Sequence, residues 1–507
     1  MRTTTAAALA LISLIAAPAA ANARVAATTI SPEGVATTLP AFEGTTWKAK
    51  PITATQPPQN PYMAANPNSG LHNDSWMTDT YWRSGPSGKS PVTMSNSFQA
   101  DLPGLCASIT FNSKGQIVTI CPNLFGPKLR LIDPTTLDLL AEQQLPAKEC
   151  AAQVSDPGNL CVSGNIFQDF SGGGYFYLDN QDRAVVGAND RKIKIYAVNS
   201  AGDGFVLANS FDLSSVVPQY ERFSSVLPDW QGRLWFVTKP GKVGYVEPTT
   251  GAIRFTDLHE QIQNSFTIDS TGVYVPTDNA LYKFNSTAGN VKQLWRTVYP
   301  NIGVKKPGQA APGTGTTPTI LPGGLVSITD NADPMDIVVY KTTTGAQTCK
   351  VPVFSKGASA TENSLNGAGT TKLGMLFVEN NYGYDQPVSV FDGHTSKPGF
   401  TRVDVTNSGK TCKVKWRNTT DSAPSVVPKL SVANGLLYTF TKPATTNKAD
   451  AWYWTAIDAA TGKRVWRQLA GVGISKHNNN YAGIAISPTG ALYLGLLGGV
   501  ASMRDGS

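Results

Sequence analysis

Residues 452–466 read Trp452-Tyr-Trp-Thr-Ala-Ile-Asp-Ala-Ala-Thr-Gly-Lys-Arg-Val-Trp466. An apolar run ends in Asp-Ala-Ala-Thr-Gly and a second run leaves it, which predicts two antiparallel strands joined by a tight turn. The glycine supplies the left-handed backbone angle, and the Asp and Thr side chains hydrogen-bond the turn. Weaker copies stand at Ile132-Asp-Pro-Thr-Thr136, Val246-Glu-Pro-Thr-Thr-Gly251, Phe284-Asn-Ser-Thr-Ala-Gly289 and Tyr340-Lys-Thr-Thr-Thr-Gly345. A unit recurring every roughly 40 to 65 residues signals a solenoid or a propeller.

Between these turns the chain repeats strand, turn, strand, loop, strand, turn, strand. Successive units start near Cys106, Gly174, Phe223, Ser265, Thr316, Asn363, Ser425 and Tyr481. Turns at Asn112-Ser-Lys-Gly, Asp229-Trp-Gln-Gly, Asp269-Ser-Thr-Gly and Ser487-Pro-Thr-Gly follow the first strand of their units, as hairpin turns should. The pattern predicts an all-β chain forming an eight-bladed β-propeller. A pair of two-sheet sandwiches is the alternative. The last unit offers only three strands before Ser507. An open sheet edge is a liability, so Val92 to Leu102 is expected to supply the missing outer strand and lock the ring.

The chain opens with a basic residue, an apolar run from Ala6 to Ala17, and Ala21-Asn-Ala23. That is the pattern of a secretory signal peptide over residues 1–23. Residues 24–90 are rich in Pro, Thr, Asn and Ser and read as an extended arm ahead of a propeller over 91–507. Within the arm, Leu71 to Trp82 is too aromatic for a free linker and is expected to dock on the propeller. No later stretch reaches the roughly 18 apolar residues of a membrane span. The net charge of +7 is scattered, without the dense Lys/Arg block expected of a nucleic-acid binder.

Six cysteines in a secreted chain suggest disulfides. With a hairpin turn centred on Ser113 and Lys114, Cys106 falls opposite Cys121, close enough to bridge. Cys150 and Cys161 bracket a Pro/Gly loop and are expected to close it. Cys349 and Cys412 remain, at equivalent places in successive units, with little geometry to join them.

Ala456-Ile-Asp-Ala-Ala-Thr-Gly-Lys-Arg-Val-Trp466 resembles the tryptophan-docking repeat of quinoprotein alcohol dehydrogenase-like propellers. That superfamily also includes the scaffold propeller of the outer-membrane assembly machine. The resemblance implies the fold and eight blades. It implies no activity, because this repeat packs blades against each other. Quinone dehydrogenases of the family carry adjacent cysteines beside the cofactor and an Asp/Glu/Asn calcium site. No Cys-Cys pair occurs here, so the quinone cofactor PQQ is not expected.

Propellers gather their second-to-third strand loops and blade-to-blade loops on one face, around a central channel. The first set supplies Asp278-Asn279, Asp330-Asn331 and Glu379-Asn380 with Tyr382; the second supplies Asn264, Glu362-Asn363 and His477-Asn-Asn479-Asn480. Ligand contacts are expected from Asn264, Asp278, Asn279, Tyr382, Asn479, Asn480 and, from the arm, His72. His477 and Glu362 are the candidate catalytic acid and base. The oxygens of Asp330, Asn331, Glu362, Asn363, Glu379 and Asn380 suit a hard cation such as calcium. Crowded carboxylates otherwise repel until one takes up a proton. The plainer reading is that Asp and Asn serve as turn residues bonding their own backbone.

Calcium-dependent lactonase propellers of the paraoxonase kind look similar in having acid and amide ligands at the channel mouth, a likeness of architecture without a shared motif. The four histidines lack zinc-site spacing, and no Gly-x-Ser-x-Gly elbow announces a serine hydrolase. Three classes stand: a hydrolase or lyase acting on an ester, lactone or sugar derivative, with or without calcium; a binding or scaffold propeller; and a quinone-dependent dehydrogenase.

Overall fold

The structure is a computed structural model and describes residues 27–30, 36–97, 105–122, 126–148, 166–219, 221–473 and 476–507. The expected signal peptide and the Cys150–Cys161 pair lie outside the described residues. Eight antiparallel sheets form the ring. Their innermost strands are Ser108–Phe111, Tyr177–Leu178, Phe223–Pro228, Thr267–Asp269, Thr319–Leu321, Asn366–Gly369, Lys429–Ser431 and Ala485–Ile486. Each begins within a few residues of the start read from the sequence. We number the blades 1 to 8 in that order.

Blade 7 shows why the repeat folds as it does. Asp458 accepts from the Ala460 N–H at 2.9 Å, Gly462 N–H donates to the Asp458 carbonyl at 2.8 Å, and Gly462 takes φ +75°. The turn then becomes a seat for the preceding blade. Trp416 lies on Gly462, where an added Cβ would meet the indole at 2.5 Å, and its Nε1 donates to the Ala459 carbonyl at 2.9 Å. Trp295 of blade 4 sits in the same way on Gly345 of blade 5, with Nε1 donating to the Thr342 carbonyl at 3.1 Å. Each buried indole contributes about 2–3 kcal/mol of apolar burial between blades. The repeat is therefore an interlock.

The ring closes as the missing strand requires. Val92–Ser97 pairs antiparallel with Gly499–Arg504, with Val92 opposite Arg504 and Ser97 opposite Gly499. Cys106 and Cys121 are bonded, as are Cys349 and Cys412. The pairing register near the first bond differs by one residue from the sequence reading. Ser108 faces Ile120 and Phe111 faces Ile117, so the hairpin loop is Ser113-Lys114-Gly115, with Gly115 at φ +78°. A three-residue loop with a left-handed glycine is a common hairpin form. The ladder starts at Ser108, which leaves Cys106 outside its register and free to reach Cys121.

The segment ahead of the ring does more than lie on its surface. Phe42–Gly44 adds to the outer strand Arg464–Val472 of blade 7. The chain then crosses blades 7 and 6, where Lys50, Ile52 and Thr55 donate to the carbonyls of Asn434, Val432 and Gly369. From Ser69 to Tyr81 it fills the central shaft. Inner-strand amides of Leu178, Ile268, Ile320, Gly367, Leu430 and Val432 donate in turn to the carbonyls of Ser69, Ser75, Trp76, Thr78, Asp79 and Tyr81. Five inner strands thus find partners in one plug. The physical cause is plain: backbone groups on an inner edge buried away from water must be paired.

Candidate functional site

The plug carries the first part of the site. His72, Asp74 and Asp79 are all buried on it. His72 Nδ1 lies 3.0 Å from Asp79 Oδ2, and Nε2 lies 3.4 Å from Ser364 Oγ. Asp79 also ion-pairs with Lys429 of the blade 7 inner strand, both side chains fully buried. Burial pushes the Asp79 carboxyl up, but His72 and Lys429 outweigh it and hold it below the usual range. An ionised Asp79 accepts a hydrogen bond from the Nδ1–H, which fixes the tautomer and leaves Nε2 as an acceptor facing Ser364. Asp74 is spent on its own turn, accepting from the Trp76 N–H at 2.9 Å; burial pushes it up to about 7.

The walls come from the blade-to-blade loops. Asn264 leads into blade 4, Thr317 into blade 5, Glu362, Asn363 and Ser364 into blade 6, and Tyr481 into blade 8; with His72 and Tyr175 they line a cavity of about 20 Å³. That volume holds roughly one water. Burial pushes Glu362 up to about 8, although the Ala310 N–H donates to it at 2.9 Å. Tyr175 donates to Asn264 Oδ1 at 3.2 Å. Above the cavity, Phe170 packs edge-on against Tyr481, and Asn480 Nδ2 holds the Phe167 carbonyl at 2.9 Å. Four residues expected from the sequence, His72, Asn264, Glu362 and Asn363, therefore meet at one place.

The other expected residues are spread around this centre. Glu379 is buried and its pKa is raised well above the usual range by desolvation; the amides of Asn363 and Asn381 both donate to its Oε1. Asp330 accepts from the backbone of Ala332 and Asp336 at 3.1 and 2.8 Å, and burial pushes it up to about 7. Asn331 ties down the Asn301 side chain and the Val304 carbonyl. Asn380 holds the backbone of Ala358, Ala360 and half-buried Tyr382. Asp278 accepts from the Gln261 N–H and from exposed Asn279. Asn479 donates to the Ala482 carbonyl at 3.4 Å, and Asn480 accepts from the buried Tyr384 hydroxyl at 3.0 Å.

His477 is not among the residues that line the cavity. It packs against Gly471, where any Cβ would strike the imidazole, and burial pushes its pKa down to about 4. It is a neutral, packed histidine. Tyr175, Tyr481, Asp79 and Lys429 were not singled out by sequence reasoning, and Ser364 was read only as part of the Glu362-Asn363-Ser364 rim loop, without a role. Asp79 and His72 stand in one aromatic patch that looked wrong for a linker, and that patch was the available signal.

A bound calcium would draw on the oxygens of Glu379 and Asn363. Glu379 Oε2 and Asn363 Oδ1 are buried without a hydrogen-bond partner, as cation ligands would be. Against that, two amide NH₂ groups point at Glu379, and among the described residues no group of three or more His, Cys, Asp or Glu side chains gathers to hold a metal. Calcium normally takes six to eight oxygens, several of them charged, so the set fits it poorly.

No protein-family model matches the chain. An uncharacterized protein of Archaeoglobus fulgidus is 27% identical over 365 residues, covering 65% of this chain and 70% of that protein. Among solved structures, the quinohemoprotein alcohol dehydrogenase of Comamonas testosteroni superposes with a TM-score of 0.56 at 11% identity, covering 87% of this chain and 81% of that one. BamB of Moraxella catarrhalis gives a TM-score of 0.40 at 12% identity over 64% of this chain and 93% of its own, too low to carry an argument. What this chain shares with the dehydrogenase is its fold, an eight-bladed β-propeller.

Proposed function

We propose that the protein is a secreted hydrolase or lyase that acts on a small ester, lactone or sugar derivative at the centre of the shaft, with Glu362 as its acid. The single observation that carries this reading is a carboxyl pushed up to about 8 by burial, lining a cavity across from the imidazole of His72. A neutral carboxylic acid and a histidine facing one small space are the partners of general acid–base chemistry. The acids crowded around the shaft take up protons in place of a bound calcium. Secretion is supported by the N-terminal sequence pattern and by two disulfides.

The reading is tested by hydrolysis of a panel of small esters and lactones against pH. Turnover is expected to fall as pH rises through about 8, as the acid is lost, and to vanish in Glu362→Gln while the fold persists. Turnover that survives Glu362→Gln would contradict it. The scaffold reading has one observation of its own: Val206, Leu207, Phe255 and Leu294 are exposed on outer strands of blades 2, 3 and 4. Capture of a protein partner by those strands, with no ligand bound in the shaft, would favour it.

A further inference from the structure

The side chains of Ser364, His72 and Asp79 form a chain of contacts of which the reading above uses only His72. Ser364 Oγ to His72 Nε2 is 3.4 Å, and His72 Nδ1 to the two Asp79 oxygens is 3.1 and 3.0 Å. The three come from separate places: Ser364 from the loop leading into blade 6, His72 and Asp79 from either end of the plug's tight turn. All three are buried, and both Ser364 and His72 line the shaft cavity. Nucleophile to base to orienting carboxylate, each within reach of the next, is the geometry of serine hydrolysis, and it recurs on unrelated folds in any chain order. The first distance is long for a hydrogen bond, as is common before substrate tightens the site.

We infer that Ser364 is a nucleophile, activated by His72 and oriented through Asp79, and that it hydrolyses small acyl esters. The inference rests on the reading of the shaft as a catalytic site. In the first half-reaction Ser364 Oγ attacks the carbonyl carbon and its proton passes to His72 Nε2. The tetrahedral adduct collapses, the bond to the alcohol oxygen breaks, and the proton goes from His72 to the departing alcohol. Water then attacks the acyl-serine, giving up a proton to His72. Collapse frees the carboxylic acid and returns the proton to Ser364. Glu362, in its acid form, lines the same cavity two residues before the nucleophile and supplies an O–H donor for the oxyanion, a use of a neutral carboxylic acid with precedent. Lys429, on the far side of Asp79, keeps that carboxylate ionised, so the proton stays on His72. Space sets the substrate class. The cavity among Leu71, Ala107, Val427 and Tyr481 is about 20 Å³, so the shortest acyl groups enter only as these side chains give way and long chains are excluded.

The test uses the full chain and methanesulfonyl fluoride, a probe of acetyl size that sulfonylates a nucleophilic serine with loss of fluoride. Mass spectrometry of the digested protein is expected to find the methanesulfonyl group on the Ser364 peptide, with labelling suppressed in His72→Gln and absent from urea-unfolded protein. Ser364→Ala, checked by thermal melt, is expected to lose at least about 100-fold of acetate-ester hydrolysis. Ser364→Cys guards against misfolding of the alanine variant: its thiol should react with iodoacetamide faster than the same thiol in a His72→Gln background. No label on Ser364 overturns the inference. If Glu362→Gln abolishes turnover while Ser364→Ala retains it, the relay is wrong and the acid–base reading stands. If neither substitution affects turnover, both fall.

Discussion

Lys429→Met removes the blade 7 half of the ion pair that fastens the plug. In the native protein Asp79 and Lys429 are both at zero exposure, and the ammonium also holds the Leu71 carbonyl. Methionine matches the length of the lysine stem but leaves Asp79 a buried carboxylate held by His72 without its ammonium partner. Breaking a buried pair by removing one partner costs about 3–5 kcal/mol, because the survivor stays charged and dry. That is a large share of the 5–15 kcal/mol typical of a native protein. The partner experiment is the double variant Asp79→Asn with Lys429→Met, which removes both charges. It should recover about 2 kcal/mol or more relative to the sum of the single changes. The assay is urea unfolding followed by tryptophan fluorescence, fitted where the transition is single and reversible, since the two-state treatment requires it. A cost below about 1 kcal/mol for Lys429→Met, or strict additivity in the cycle, would refute the claim that this pair holds the plug in the shaft.

Three further outcomes follow from the same geometry. Glu362→Gln removes a carboxyl whose folded pKa is raised from 4.5 to about 8. The folded form binds the proton more tightly than the unfolded chain, so the native protein loses stability as pH rises from 4.5 through 8; relative to it the variant should gain about 3 kcal/mol between pH 4.5 and 7, read as a pH-dependent difference in urea midpoint. Gly462→Ala places a methyl against Trp416 at a left-handed φ of +75° and should cost about 2–4 kcal/mol, whereas Gly251→Ala, at φ +71° with nothing near its Cβ, should cost only about 1; equal costs would deny the interlock. Thermal melts with added calcium and with chelator should coincide, since the acids near the shaft take up protons; a rise in melting temperature with calcium would restore the cation reading.

The blades were legible because turn chemistry is local. Asp458 and Gly462 act within five residues of one another, and the copies at Glu247–Gly251 and Lys341–Gly345 repeat the backbone hydrogen bond that closes the turn. The closing strand was legible for a different reason: a three-stranded last unit left an edge that only Val92 onward could cover. The plug was not legible beyond its aromatic excess. It has no period, and its order comes from inner-strand amides supplied by five blades far along the chain. The same distance hid the site. His477 and His72 look alike in sequence, each beside polar neighbours, yet packing against Gly471 shuts one away while the shaft turns the other toward Ser364. Asp330 shows the opposite case, where the plain turn reading accounts for the hydrogen bonds it accepts from Ala332 and Asp336.

The central claim is that Glu362 stands as a neutral acid in the shaft at neutral pH. Infrared difference spectra between the native protein and Glu362→Gln, taken across a pH titration, isolate the carbonyl stretch of that one carboxylic acid from the other buried acids. The account predicts a band present at pH 6 that is lost with a midpoint near the value of about 8 to which burial pushes the group. A difference spectrum showing only ionised carboxylate at pH 6 would contradict it.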